Sequence, residues 1–173
     1  MDHSIGRFGG IALAAALLLG PAVASADSPL YISVGAPFVG GDDNLDYSVT
    51  FKEAGLGNTV TVANYVLSGT GSVTYQCFNH GMNAPQGQPF TIGPQPLTGS
   101  GSFPVRNGSA SGTISVQEPE VPAGTKCTGN GSFCAIAFSY TNIMLQDGFG
   151  SPPLDTGDLS NPPNYLNCKI EQP

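Results

Sequence analysis

Four sets of residues in this 173-residue chain are of types that do chemistry. The first is four cysteines: Cys77, Cys127, Cys134 and Cys168. An even number in an exported chain reads as two disulfides. Structural zinc would need close ligand pairs, but six residues separate Cys127 from Cys134 and the others lie far away. Spacing leaves all three pairings open. It favours Cys127 with Cys134, because the Asn130-Gly131 centre makes that short loop easy to close.

The second set centres on His80, in the turn-like segment Cys77-Phe78-Asn79-His80-Gly81-Met82-Asn83. A Ser-His-Asp or Cys-His hydrolase would have to use it. No Gly-x-Ser-x-Gly elbow is present, and oxidised cysteines are not nucleophiles. A loop histidine after a strand is the plainer reading. The third is Asp155-Thr156-Gly157, which matches the aspartic-protease triplet. That chemistry needs two carboxylates sharing a proton and apolar strand flanks. Here the flanks are Pro152-Pro153-Leu154 and Asp158, so a loop with aspartates closing side-chain turns is expected.

The fourth is Asp42-Asp43-Asn44-Leu45-Asp46, with oxygen ligands at alternate positions and Glu53 where a calcium loop would end. An EF-hand demands glycine where Tyr47 stands, and 47 to 52 reads as a strand. A weak extracellular calcium site on Asp42, Asn44 and Asp46 is the one metal candidate; otherwise the cluster is a solvated loop. No catalytic residue and no cofactor are expected, and no binding residues can be assigned. A β-sandwich that binds carbohydrate usually presents an aromatic platform, and with no Trp in the chain the tyrosines are the candidates for one. Tyr47, Tyr75 and Tyr140 alternate with polar neighbours and read as core. Tyr31, Tyr65 and Tyr165 are the candidates for exposure, with packing the favoured alternative. Asn107-Gly108-Ser109 and Asn130-Gly131-Ser132 are both glycosylation sequons and Asn-Gly turns; the sugar reading also needs a eukaryotic secretory host.

Compartment follows from the first residues. Arg7, the apolar run Ile11 to Leu19 and Ala24-Ser25-Ala26 stand in the order of a signal peptide cut after Ala26. The run is too short to span a bilayer, which takes ~20 residues. Residues 27 to 173 would form one secreted domain, with a Pro-rich C-terminal extension over 148 to 173. Its location would be extracellular, at the cell surface or periplasmic, with no membrane anchor after processing. The net charge of −7, with few and scattered bases, gives no footprint for nucleic acid or anionic lipid. The expected partner is an unknown extracellular molecule.

The elements that must position these groups are strands. Tyr47, Val49 and Phe51 alternate with polar residues, as do Val73, Tyr75 and Cys77, then Ile114 and Val116, then Ile136, Phe138 and Tyr140. Thr59 to Leu67 is a β-rich run closed by Ser68-Gly69-Thr70-Gly71. The apolar phase shifts at Ile143 and Leu145, which predicts a bulge near Thr141-Asn142. A last short strand is expected within Tyr165 to Ile170. Pro-rich stretches at 85 to 96, 119 to 122 and 152 to 163 read as loops. The sum is an all-β fold: an antiparallel β-sandwich of seven to nine short strands, with a small barrel as alternative.

Three segments in order, Val73-Thr74-Tyr75-Gln76-Cys77, Gly112-Thr113-Ile114-Ser115-Val116 and Cys127 followed by Ser139-Tyr140-Thr141-Asn142-Ile143, resemble a group of small exported, Gly/Ser/Thr-rich all-β bacterial and fungal proteins of unknown function. The likeness covers roughly residues 47 to 147 and implies a secreted β domain with no activity attached. It also implies a disulfide pairing. Such proteins carry only the equivalents of Cys77 and Cys127, so those two would pair. Cys134 and Cys168 would then tie the extra tail to the strand beginning near Phe133. Two function classes stand: a non-catalytic extracellular binding or surface-interaction protein, which is preferred, and a small hydrolase with an unrecognised active site. A pocket joining His80 to a carboxylate would favour the enzyme. An exposed Tyr patch or flat edges would favour binding.

Overall fold

A computed structural model describes residues 29–39, 44–79, 85–122, 125, 127, 131–161 and 167–169. The expected signal peptide, Asp42, His80, Asn130 and Tyr165 lie outside these residues. Ten strands run in order: β1 Leu30–Val34, β2 Phe38–Val39, β3 Tyr47–Ala54, β4 Val62–Phe78, β5 Pro85–Pro104, β6 Ser109–Val116, β7 Ser132–Asp147, β8 Leu154–Asp155, β9 Leu159–Ser160 and β10 Asn167–Lys169. All pairings are antiparallel. The smaller sheet has β3 at its centre, with β6 on one side and β1 and β2 in succession on the other. The larger sheet runs β5-β4-β7, and β8, β9 and β10 all pair with the far side of β7. The two sheets pack face to face as a β-sandwich, with no closed barrel.

Period two explains the core. Tyr47, Val49 and Phe51 on β3 share a face with Ile114 and Val116 on β6 and are buried. They meet Tyr65, Leu67, Val73 and Tyr75 of β4 and Tyr140 and Leu145 of β7, which are buried too. Aromatic pairs stitch the layers: Phe51 lies 4.3 Å from Tyr65 and 5.0 Å from Phe103, and Tyr47 lies 5.6 Å from Tyr140, between ring centroids. Tyr47, Tyr75 and Tyr140 are core residues, as their alternation predicts. Tyr65 is fully buried as well, and Tyr31 is half-buried against the core, so neither forms an exposed platform.

Three expectations about local structure need correction. The Ser68-Gly69-Thr70-Gly71 stretch does not end a strand: β4 is one continuous strand of 17 residues. Its glycines are there for space. A Cβ on Gly69 would collide with Ile143, and one on Gly71 would collide with Leu97 and Tyr140. The Pro-rich stretch from residue 85 to 96 is likewise strand, part of β5. β5 is an edge that pairs only with β4, so a missing N–H can face outward. Pro89 and Pro94 fall where the β4–β5 register slips. Within the stretch from residue 152 to 161, two short segments are strand rather than loop, because β8 and β9 dock on β7.

Other expectations hold. Ser68 faces Met144 and Thr70 faces Thr141, so Asn142 and Ile143 together oppose Gly69. That is the predicted bulge, with Asn142 at φ 54°. Asn107 and Gly108 form the β5–β6 turn with φ of 50° and 69°, closed by paired bonds between Arg106 and Ser109. The disulfides are Cys77–Cys127 and Cys134–Cys168, with Cα separations of 5.6 and 3.8 Å. Cys168 sits in β10 directly opposite Cys134 in β7, so the bridge fixes the tail to the sheet.

Candidate functional site

One end of the sandwich opens into a cleft of about 680 Å³. Four separate segments wall it: Asn44 and Asp46 before β3, Tyr75 on β4, Gln117 to Val121 after β6, and Phe133 at the start of β7. Each wall is fixed from inside. The buried Tyr140 hydroxyl donates to the Leu45 carbonyl and holds the first loop. The Glu118 N–H donates to Asp46 Oδ1 at 3.1 Å and joins the first wall to the third. The Tyr75 hydroxyl reaches Glu118 Oε2 at 3.4 Å. The Cys77–Cys127 bridge anchors the connection that follows Val121 to β4. The floor is aromatic and rigid: Phe90 stacks on Tyr75 at 5.8 Å and meets Phe133 edge-on at 5.7 Å.

The cleft therefore presents three carboxylates, Asp46, Glu118 and Glu120, above two aromatic rings. Among the described residues its lining contains no lysine, arginine or histidine. Two of the calcium candidates, Asn44 and Asp46, do line it, while Asp42 is outside the described residues. Among the described residues no three His, Cys, Asp or Glu side chains converge to hold a metal ion. The Asp-Thr-Gly triplet is not here. Asp155 Oδ1 accepts the Gly157 N–H at 2.9 Å, an Asx-type turn. Thr156 is buried and hydrogen-bonded to Tyr47 and to the Ile143 carbonyl. The triplet is a strut between the sheets.

A second titratable cluster lies inside the fold. Glu53, at the end of β3, is fully buried. Its Oε2 accepts the Tyr65 hydroxyl at 2.6 Å and its Oε1 accepts the Ser151 hydroxyl at 3.1 Å. Burial, reinforced by Asp147, pushes its carboxyl up to about 7; the bonds from Tyr65 and Ser151 oppose this without cancelling it. Asp147 goes the other way. Burial favours its neutral form, but Glu53, the Ser151 hydroxyl and the N–H groups of Phe149 and Ser151 bring it below the ordinary carboxylate value. Asp147 Oδ1 accepts the N–H groups of Phe149, Gly150 and Ser151 at 3.0 to 3.1 Å. Its buried Oδ2 has no partner of standard geometry, which leaves it as the acceptor for a proton carried by Glu53. Tyr31, on β1, is held neutral by burial and by both carboxyls. The pair is sealed from solvent and serves structure rather than binding.

Fold and cleft together define a two-disulfide β-sandwich with an acidic, aromatic-floored recess at one end. Comparison with protein-family models, with curated proteins and with solved structures finds no match.

Sequence reasoning missed Glu118 and Glu120. Glu118 stands 72 positions from the residue that binds its N–H, so no local pattern announces the meeting. The burial of Glu53 had a signal: it continues the inward phase of Val49 and Phe51.

Proposed function

We propose that this is a secreted, non-catalytic binding protein, kin to the small exported β proteins it resembles, whose cleft takes a ligand bearing a cationic amine or guanidinium group. The cleft carries the reading. Its volume is that of a small-molecule or side-chain pocket. Its three carboxylates attract positive charge, while Tyr75 and Phe133, almost fully buried, shape the floor beneath them. Asp46 and Glu118 are engaged in holding the walls, a positioning role, and the lining among the described residues offers no serine, cysteine or histidine as nucleophile or base. Two disulfides suit an oxidising compartment.

Two measurements test this. Protein recovered from the medium of an expressing host should begin at Asp27 by intact mass; a retained Met1 in exported protein would overturn the processing. Titration calorimetry against arginine-rich peptides, polyamines and quaternary amines should give a ligand that weakens as salt rises. The variant Glu118→Gln/Glu120→Gln should bind it at least tenfold less tightly, as expected when charge-assisted contacts are removed. Binding only of anionic or neutral ligands, or binding indifferent to these changes, would defeat the reading.

A further inference from the structure

Charge is distributed unevenly between the sheets. The 52 residues from Ala54 to Val105 contain no Asp, Glu, Lys or Arg. They include all of β4 and all of β5, and β7 has no charged residue before Asp147. The three strands lie side by side, so their shared outer face is free of formal charge in a chain of net charge −7; the exposed Asp155 of β8 stands beyond it, opposite Met144. The smaller sheet, by contrast, exposes Lys52.

The chemistry of that face is specific. Ser100, Val66 and Gln146 form one row across β5, β4 and β7, and all three are exposed. In the next row Ser102 Oγ donates to Asn64 Oδ1 at 2.6 Å. That bond orients the amide so that its NH₂ is the group left to donate outward. Val62 and Val66 are 51% and 43% exposed, so aliphatic surface alternates with hydroxyls and amides. Hydroxyls and amides both donate and accept, and valines cover C–H surfaces. That combination complements a polymer of neutral sugars, which offers hydroxyls at ring edges and C–H groups at ring faces.

We infer that the outer face of β5-β4-β7 is a docking surface for a neutral polysaccharide. A surface without charge gives up no ion hydration on contact with a neutral partner. Three strands at ~4.8 Å spacing span ~14 Å, and the 17 residues of β4 at ~3.3 Å per residue run ~56 Å. The face is thus long and narrow, the shape of a track for one extended polymer chain, and a second copy of this chain is the competing occupant that the test separates. Weak, repeated contact suits a long polymer, because many sites lie on one chain.

The test is depletion of the intact, disulfide-bonded protein from solution by powdered cellulose, insoluble β-1,3-glucan and chitin, with chitosan and polygalacturonate as charged controls. At least one neutral polymer should retain the protein, equally at low salt and at 1 M salt. Asn64→Asp/Gln146→Glu changes charge with almost no change of shape, and it should weaken retention at least tenfold while the melting temperature stays put. If that variant proves unstable, Ser100→Asp serves instead. Glu118→Gln/Glu120→Gln should be retained like the parent, which separates this face from the cleft. Four results would overturn the inference: no retention by any neutral polymer, retention by chitosan alone and lost in salt, retention indifferent to the face variants, or a dimer in sedimentation that those variants dissolve.

Discussion

Replacing Cys77 and Cys127 together by alanine is expected to cost about 4 kcal/mol of folding stability, the value the chain-entropy model gives for a loop of 50 residues. For a domain of this size that is a fall of roughly 10–15 °C in Tm. The effect should also be local. The bridge holds the connection between β6 and β7, and the wall formed by Gln117 to Val121 belongs to that connection. Cleft binding should therefore weaken in the variant at temperatures where it is still folded. Removing Cys134 and Cys168 should cost a comparable amount by the same arithmetic, for a loop of 34, yet leave cleft binding intact. Calorimetric melts with ligand titrations on both double variants check the contrast. Equal binding losses in the two would refute the assignment of the first bridge to the cleft wall.

The second large effect is on pH. Glu53 has its carboxyl raised from 4.5 to about 7, so the folded state holds a proton that the unfolded chain releases. Its stabilisation is complete below pH 4.5, begins to be lost above that value and is gone once the pH has passed about 7. The size is on the order of 3 kcal/mol, at 1.36 kcal/mol per pKa unit. Asp147, lowered from 3.8, acts in the opposite sense: its contribution is present above 3.8 and is lost as the pH falls below it. Stability should therefore peak in mildly acid solution, near pH 4 to 5 by these two values, and be clearly lower at pH 8.5. Glu53→Gln keeps a neutral hydrogen-bonding group, and it should flatten the alkaline limb and melt above the parent at pH 8.5. Denaturant unfolding of both proteins from pH 4 to 9 measures this. Parallel curves for parent and variant would remove Glu53 as the cause.

How much of this was legible depends on range. Period-two alternation is written residue by residue, so Tyr47, Val49, Phe51, Ile114 and Val116 disclosed an all-β core, and a broken phase disclosed the bulge at Asn142. The Asn107-Gly108 turn needs only two residues. Glycine and proline misled, because their usual role is punctuation. Gly69 and Gly71 yield instead to side chains from β5 and β7, and the prolines of β5 sit on an edge, facts that only sheet order supplies. The cleft was invisible for the same reason. Asp46, Tyr75, Glu118 and Phe133 are distant in sequence and meet only when two sheets close. The charge-free interval before Arg106 was plain to read, yet it gained meaning only when β4, β5 and β7 proved to be neighbours.

The tail also bears on colloidal behaviour. An unpaired strand is a template for another chain, and β7 with its 16 residues would be a long one. β8, β9 and β10 occupy stretches of its outer side, and the Cys134–Cys168 bridge keeps β10 there. The opposite margin, β5, is blunted by prolines that cannot donate to an incoming strand. Both flanks of the larger sheet are thus guarded against the edge-to-edge growth that starts fibres. Its three long strands have no formal charge before Asp147 and cannot rely on electrostatic repulsion to stay dispersed, so this shielding of the margins takes the place of charge there.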